Sequence, residues 1–324
     1  MGQRLIKAFL GFIVAFGLLA TPLLHAQSDW PKSKPVTLLV AFAPGSSTDI
    51  VARTLAPKLN ELTGGNFIVE NKGGAGGNIA SMQVKRSAAD GYTVLVHSVA
   101  YAVNPSLYAD AGYDALKDFA AVALGPKTPN IITVNPQVNV KSLPELIDQA
   151  RKSPMSYASS GIGTTTHLSM ERLKSEAKVD ITHVPYQPAA AINAVVAGHT
   201  PIASTSMPPA VPMVNGGRIK ALAVTSATRS PLLPNVPSIT EFGYKDFDDY
   251  TWFGFFVPAG TPPALVERFN AALNQAMSHP QVLETFNQLG LSVSKTSPSE
   301  FSTFLRSEVP KWAAVIKSSG AKAD

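Results

Sequence analysis

Ser46, Ser47 and Thr48 stand in a row between the apolar run Leu38–Ala43 and a helical pattern that starts at Ile50. A strand that feeds a loop of small polar residues and then a helix is an anion-binding device. The first helical N–H groups have no intrahelical partner and lie at the positive end of the helix dipole. Pro44 and Gly45 shape the turn, and small residues let a ligand approach the backbone. Asp49 has the wrong charge to meet an anion directly, so it is expected to cap the helix or fix the loop. Ser159-Ser160-Gly161-Ile162-Gly163-Thr164 is a second segment of the same kind, leading into a helix through about Ala177. Two helix starts that face each other can hold two negative groups at a fixed separation.

Other chemistries find little support. There is no Gly-x-Ser-x-Gly elbow, no His-Glu-x-x-His and no cysteine, so no catalytic residue is assigned. Gly74-Ala75-Gly76 follows an apolar run, but Ile79 stands where a dinucleotide fingerprint needs its third glycine. The histidines lack metal-ligand spacing. No cofactor and no metal are expected.

Residues 1–26 read as a secretory signal peptide. Arg4 and Lys7 precede the apolar stretch Ala8–Leu19, and Leu24-His25-Ala26 is a cleavage site ahead of Gln27. Removing 26 of 324 residues leaves 298, enough for two domains. Without Arg4 and Lys7 the net charge falls from +5 to +3, too small and too scattered for nucleic acid.

Strands and helices alternate along the mature chain. Apolar runs at Val36–Ala41, Phe67–Glu70, Thr93–His97 and Ala121–Leu124 predict strands. Helices are expected at Ile50–Leu62, where Pro57 should kink or divide the helix, and from Asn78 after the glycine-rich Gly73–Gly77. A second series has strands at Ile131–Val134, Ser156–Ala158, Ile181–Val184, Ile202–Ser204 and Ala221–Thr225, with a helix opened by Ser142 and Glu145. Pro231–Pro237 reads as a loop. Phe253–Val257 is a last strand, followed by helices near Pro263–Met277 and Gln281–Leu289. A long final helix opens at Ser297-Pro298-Ser299-Glu300, and Pro310 should kink it. The alternation predicts α/β architecture with a largely parallel sheet.

Several segments carry a family resemblance in the same order. They are Val40–Asp49, Val69-Glu70-Asn71-Lys72-Gly73-Gly74-Ala75-Gly76-Gly77-Asn78, Asp90-Gly91-Tyr92-Thr93, Asn104-Pro105-Ser106-Leu107-Tyr108, and Ser159-Ser160-Gly161 with His167-Leu168. Val184-Pro185-Tyr186, Ala221–Ser226, Trp252-Phe253-Gly254 and Pro258-Ala259-Gly260-Thr261-Pro262 follow. Through them the mature chain resembles the Bug-type solute-binding proteins of tripartite tricarboxylate transporters. The resemblance implies a type II periplasmic-binding-protein fold, with two lobes of mixed, mostly parallel sheets and a ligand cleft between them. Residues 27–125 and 250–324 would form lobe 1 and residues 126–249 lobe 2. It also implies a small organic acid as ligand, membrane permease subunits as partners, and a monomer in the Gram-negative periplasm. A receptor for a membrane signalling protein is the alternative, and an exported α/β hydrolase a lesser one.

With that fold in view, the ligand-binding set comprises Phe42, Ala43, Gly45, Ser46, Ser47, Thr48 and Asp49 from the first loop, and His97 and Ser98 from the end of the third strand. Lobe 2 would add Ser159, Ser160, Gly161, Thr164, Thr165 and Thr166, then Thr205 and Ser206. Ser98 should face the cleft, and His97 is expected to donate to a second anion and make binding pH-sensitive. His167 is expected to be structural. Tyr101 and Trp252 join Phe42 as candidate cleft aromatics. Thr205 and Ser206 stand where many relatives have Asp-Asn. Without an acidic partner for an ammonium, an amino acid is disfavoured against a plain mono- or dicarboxylate, including an aromatic one such as terephthalate.

Overall fold

Val36–Val40 (β1) is apolar at all but one position and almost wholly buried, as a strand covered on both faces must be. The computed structural model describes residues 29–323 except Asp246 and Gly320; the expected signal peptide lies outside the described residues. β1 pairs in parallel with β2 (Phe67–Asn71) and β3 (Thr93–Ser98). Helices α1 (Ser47–Thr63) and α2 (Asn78–Lys85) make the crossovers, and α3 (Ala100–Leu107) follows β3. Ser46 caps α1, its hydroxyl accepting the Asp49 N–H, and Gly64 ends it in the left-handed conformation. Pro57 lies inside α1 without dividing it.

The two strands expected at Ala121–Leu124 and Ile131–Val134 are one strand, β4 (Phe119–Val134), of 16 residues. Pro126 falls where the pairing with β9 (Tyr250–Pro258) shifts register, between Leu124 and Lys127. A bulge is where a strand tolerates the missing donor of proline. From Phe119 to Pro129, β4 pairs with β9; from Asn130 to Val134 it pairs with β7 (Ile202–Ser206), and from Ile131 with β8 (Lys220–Val224). β5 (Ser156–Ser159) and β6 (Thr182–Pro185) complete the second half. The sheet order is β2-β1-β3-β9-β4-β7-β5-β6, with β8 also on β4. Among the described residues four pairings are parallel, and the four antiparallel ones all involve β4 or β9, the strands that cross between the halves.

Helices α4 (Leu143–Lys152), α5 (Thr165–Ala177), α6 (Pro188–Val196) and α7 (Met207–Asn215) cover the second half. After β9, α8 (Pro263–Met277), α9 (Pro280–Gln288) and α10 (Pro298–Ser319) return to the first. Leu38 and Leu39 belong to different apolar clusters, as do Ile131 and Ile132. Each half of the sheet therefore has a core on both faces. In α10, the buried Glu308 carboxylate accepts indole N–H groups from Trp252 (2.7 Å) and Trp312 (2.8 Å), tying the last helix to β9.

Candidate anion-binding cleft

The N-termini of α1 and α5 line one small cavity of about 30 Å³. Ser46, Ser47 and Thr48 come from the first, and Thr164, Thr165 and Thr166 from the second. Ser98, Ser160, Ser206 and Thr251 add hydroxyls; Phe42, Phe253 and Pro188 add apolar walls. No lining residue carries a charge, so an anion's field meets only hydroxyls, amides and the two helix dipoles. Ser47 Oγ lies 2.7 Å from Ser206 Oγ, so the first and second halves touch across the cleft. Thr251 donates to Asn130 Oδ1 (2.8 Å) and is hydrogen-bonded to Thr165.

Asp49 works behind the first loop, as the sequence suggested. It is buried, accepts the Gly45 N–H at 2.9 Å through Oδ2, and accepts Arg53 Nε (2.9 Å) and Asn71 Nδ2 (2.8 Å) through Oδ1. Burial alone would raise its pKa. The hydrogen bonds from Gly45, Arg53 and Asn71 outweigh burial and hold the carboxyl below its ordinary value. Ala43 and Gly45 belong to the turn and do not line the cavity; Gly45, at φ 78°, supplies the left-handed step.

His97 is not a cleft residue. Along β3, His97 and Ser98 face opposite sides; Ser98 lines the cavity, and His97 is fully buried against Phe42 and Tyr101. Its Nδ1 accepts the Ser98 N–H at 2.9 Å. Nε2 faces the Gly77 backbone, where a Cβ would lie 2.2 Å away. Burial lowers its pKa to about 3, so the ring is neutral, and it does not line the cavity where an anion would sit. Thr205 is also turned away: it is fully buried, with its hydroxyl unpaired, while Ser206 reaches the cavity. Tyr101 donates to Ala115 O and Trp252 to Glu308, both in the core. Pro188, Thr251 and Phe253 were missed; alternation along β9 puts the last two on one face.

The second loop is braced by two histidines. Ser159 does not line the cavity; its Oγ lies 2.6 Å from His183 Nε2 and accepts the Gly161 N–H at 3.1 Å. His167 Nδ1 accepts the Gly163 N–H at 3.3 Å, and its ring stacks on that of His183 at 4.1 Å. Burial lowers both, His167 to about 4 and His183, which also feels His167, to about 3. A wider chamber of about 500 Å³ shares Phe42, Ser160 and Thr164 with the small cavity. Gly161 lines it, with Gly74–Gly77, Tyr108, Tyr186 and Gln187.

Two α/β halves joined by crossing strands, with a polar cavity between facing helix starts, define a periplasmic-binding-protein fold. Residues 51–321 match the family described as the tripartite tricarboxylate transporter family receptor, and the chain belongs to that family. It is 31% identical to Protein BugT of Bordetella pertussis over 327 residues, covering 99% of each chain. Among solved structures it resembles the periplasmic binding protein BugD, with a TM-score of 0.86 and 32% identity over 90% of this chain and 99% of that one. R. palustris Rpa4515 with adipate gives a TM-score of 0.87 and 33% identity, covering 91% and 99%. MatC from Rhodopseudomonas palustris with bound malate gives 0.83 and 30%, covering 89% and 100%. The chain is thus a solute-binding receptor and not an enzyme.

Proposed function

We propose that this receptor is exported to the periplasm, captures one small organic acid between its lobes, closes over it, and delivers it to a membrane permease. One observation carries the reading: two helix N-termini from opposite halves share a cavity that has no charged side chain. A carboxylate there meets the first-turn amides of α1 and α5 together with the hydroxyls of Ser47, Ser98 and Thr166. Each charge-assisted hydrogen bond contributes about 1.5–3 kcal/mol. Reversing a 1:99 bias toward the open state takes about 5.5 kcal/mol of preference for the closed one, within reach of a few such bonds. The small cavity holds the carboxylate end, and the adjoining chamber takes the body of the acid.

An ammonium in this cavity would have no carboxylate partner, so the ligand is an unaminated mono- or dicarboxylate, aliphatic or aromatic. Adipate and malate, bound in two relatives, are acids of that kind. A thermal-shift panel of mono-, di-, tri- and aromatic carboxylates with amino acids tests this. An acid at 100 times its dissociation constant adds about 2.7 kcal/mol of stability. Ser47→Asp, which sets a carboxylate at the start of α1, should abolish the shift. A shift with amino acids alone, or one that survives Ser47→Asp, overturns the assignment.

A further inference from the structure

The crossing strands separate two cavities. Thr251 and Asn130 turn toward the cleft, where their side chains bond to each other and to Thr165. Their chain neighbours Tyr250 and Pro129 line a different cavity, of about 420 Å³. Adjacent strand residues face opposite ways, so this cavity lies on the back of the hinge strands. Ser230, Pro231 and Leu232 form one wall; Leu232 packs against the second-half core. Asn287 and Leu291 stand in the other wall, and Leu291 belongs to the first-half core.

Ser206 and Met207 touch the first half on both sides of this hinge. Ser206 meets Ser47 in the cleft. At the back, a Cβ on Gly290 would come within 3.1 Å of the Met207 thioether. With the halves in contact across the cleft, the back cavity stands open. A rotation about β4 and β9 that opens the cleft, pivoting on the Met207–Gly290 contact, brings the Ser230–Leu232 wall toward Asn287. The walls are mostly apolar, with serine hydroxyls among them. Arg229 is the charged residue of the lining, and its guanidinium is committed to both Glu241 oxygens at 2.7 Å and to Pro234 O at 2.9 Å.

We infer that the back cavity is a second binding site, for a small uncharged ring-bearing molecule, and that filling it holds the cleft closed. The volume suits such a ligand. The charge in the lining, on Arg229, is already paired with Glu241, so the site favours an uncharged ligand. Binding at the back and capture at the front are coupled reciprocally. This rests on the closure reading above, but its test uses no acid.

The chain contains no cysteine, so Glu70→Cys and Thr182→Cys, at exposed positions on the outermost strands, can be spin-labelled cleanly. The distance distribution between them reports the closed-to-open ratio, and indole is the probe. Indole should raise that ratio at least about fivefold, the lower end of ordinary couplings. Thr228→Trp and Asn287→Trp, at exposed positions of the two walls, should do so without indole. Indole that fails to bind, or binds without moving the distribution, overturns the inference. So does a free protein with a single short distance, which would have no opening to oppose. If no acid shifts the melting curve while indole still closes the lobes, the carboxylate reading fails and this one stands.

Discussion

Asp49→Asn tests whether the first loop is held by charge. In the wild type three donors converge on two carboxylate oxygens: Gly45 on one, Arg53 and Asn71 on the other. An amide has only one acceptor oxygen. Turned to serve Arg53 and Asn71, it points its NH2 at the Gly45 N–H; turned the other way, it confronts two donors. The first arrangement is the cheaper. It leaves the part-buried Gly45 N–H without its partner, costing about 1 kcal/mol, the low end for a lost acceptor because Gly45 is exposed; it also makes the Asn71 bond a neutral one and leaves the Arg53 bond with one ionised partner instead of two. The Arg53 side chain is 53% exposed, so its share is small. The expected loss is about 1–3 kcal/mol, read from urea denaturation at pH 7.

The pH dependence has a definite sign. The folded-state pKa of Asp49 lies below its ordinary value. Its contribution is therefore complete above that ordinary value and is lost as pH falls through the folded-state one. Asparagine has no such dependence, so the gap between wild type and variant should narrow from pH 7 to pH 3. Acid affinity should fall about tenfold or more, because about 1.4 kcal/mol of loosening at the Ser46–Thr48 amides suffices. A variant within about 0.5 kcal/mol of wild type at pH 7, the range of ordinary surface changes, would refute the reasoning.

The three neutral histidines should make the fold acid-labile. Their folded pKa values, about 3, 4 and 3, lie below the ordinary 6.5. Stability should be flat above that value and fall by about 1.4 kcal/mol per histidine per pH unit beneath it. His97→Gln should make the loss between pH 7 and pH 5 about 2 kcal/mol smaller; an unchanged loss in urea titrations would count against a buried neutral His97. Gly77→Ala should cost about 2–4 kcal/mol, because φ is 99° and the new methyl would strike His97 Nε2. A variant melting with the wild type would show that the turn can move away from His97.

The loop after β1 and the helix it opens were legible because their signals are local: an apolar run, small residues, a capping serine. Proline misled where its position mattered more than its presence. Pro188, Pro208 and Pro209 occupy first-turn positions of α6 and α7, where a missing N–H costs nothing; neither helix is among those expected from the sequence. Gly125 and Pro126 likewise split β4 in two, because only the register shift on β9 shows how the strand accommodates them. The site errors have one cause. His97 and Thr205 were assigned with their neighbours Ser98 and Ser206, although alternation along a strand allows only one of each pair to face the cleft. The chamber walls at Tyr108 and Tyr186 come from segments far apart in sequence, and no local pattern announces their meeting.

The place of β9 governs the order of events during folding. It sits between β3 and β4, yet its residues follow β3 in the chain by more than 150 positions. The first half of the sheet stays split until synthesis has passed Pro258, and every earlier fragment carries two raw strand edges. Contacts this distant in sequence form slowly. That delay prolongs the interval in which the nascent chain is still open and has not committed its first three strands to the rest of the sheet.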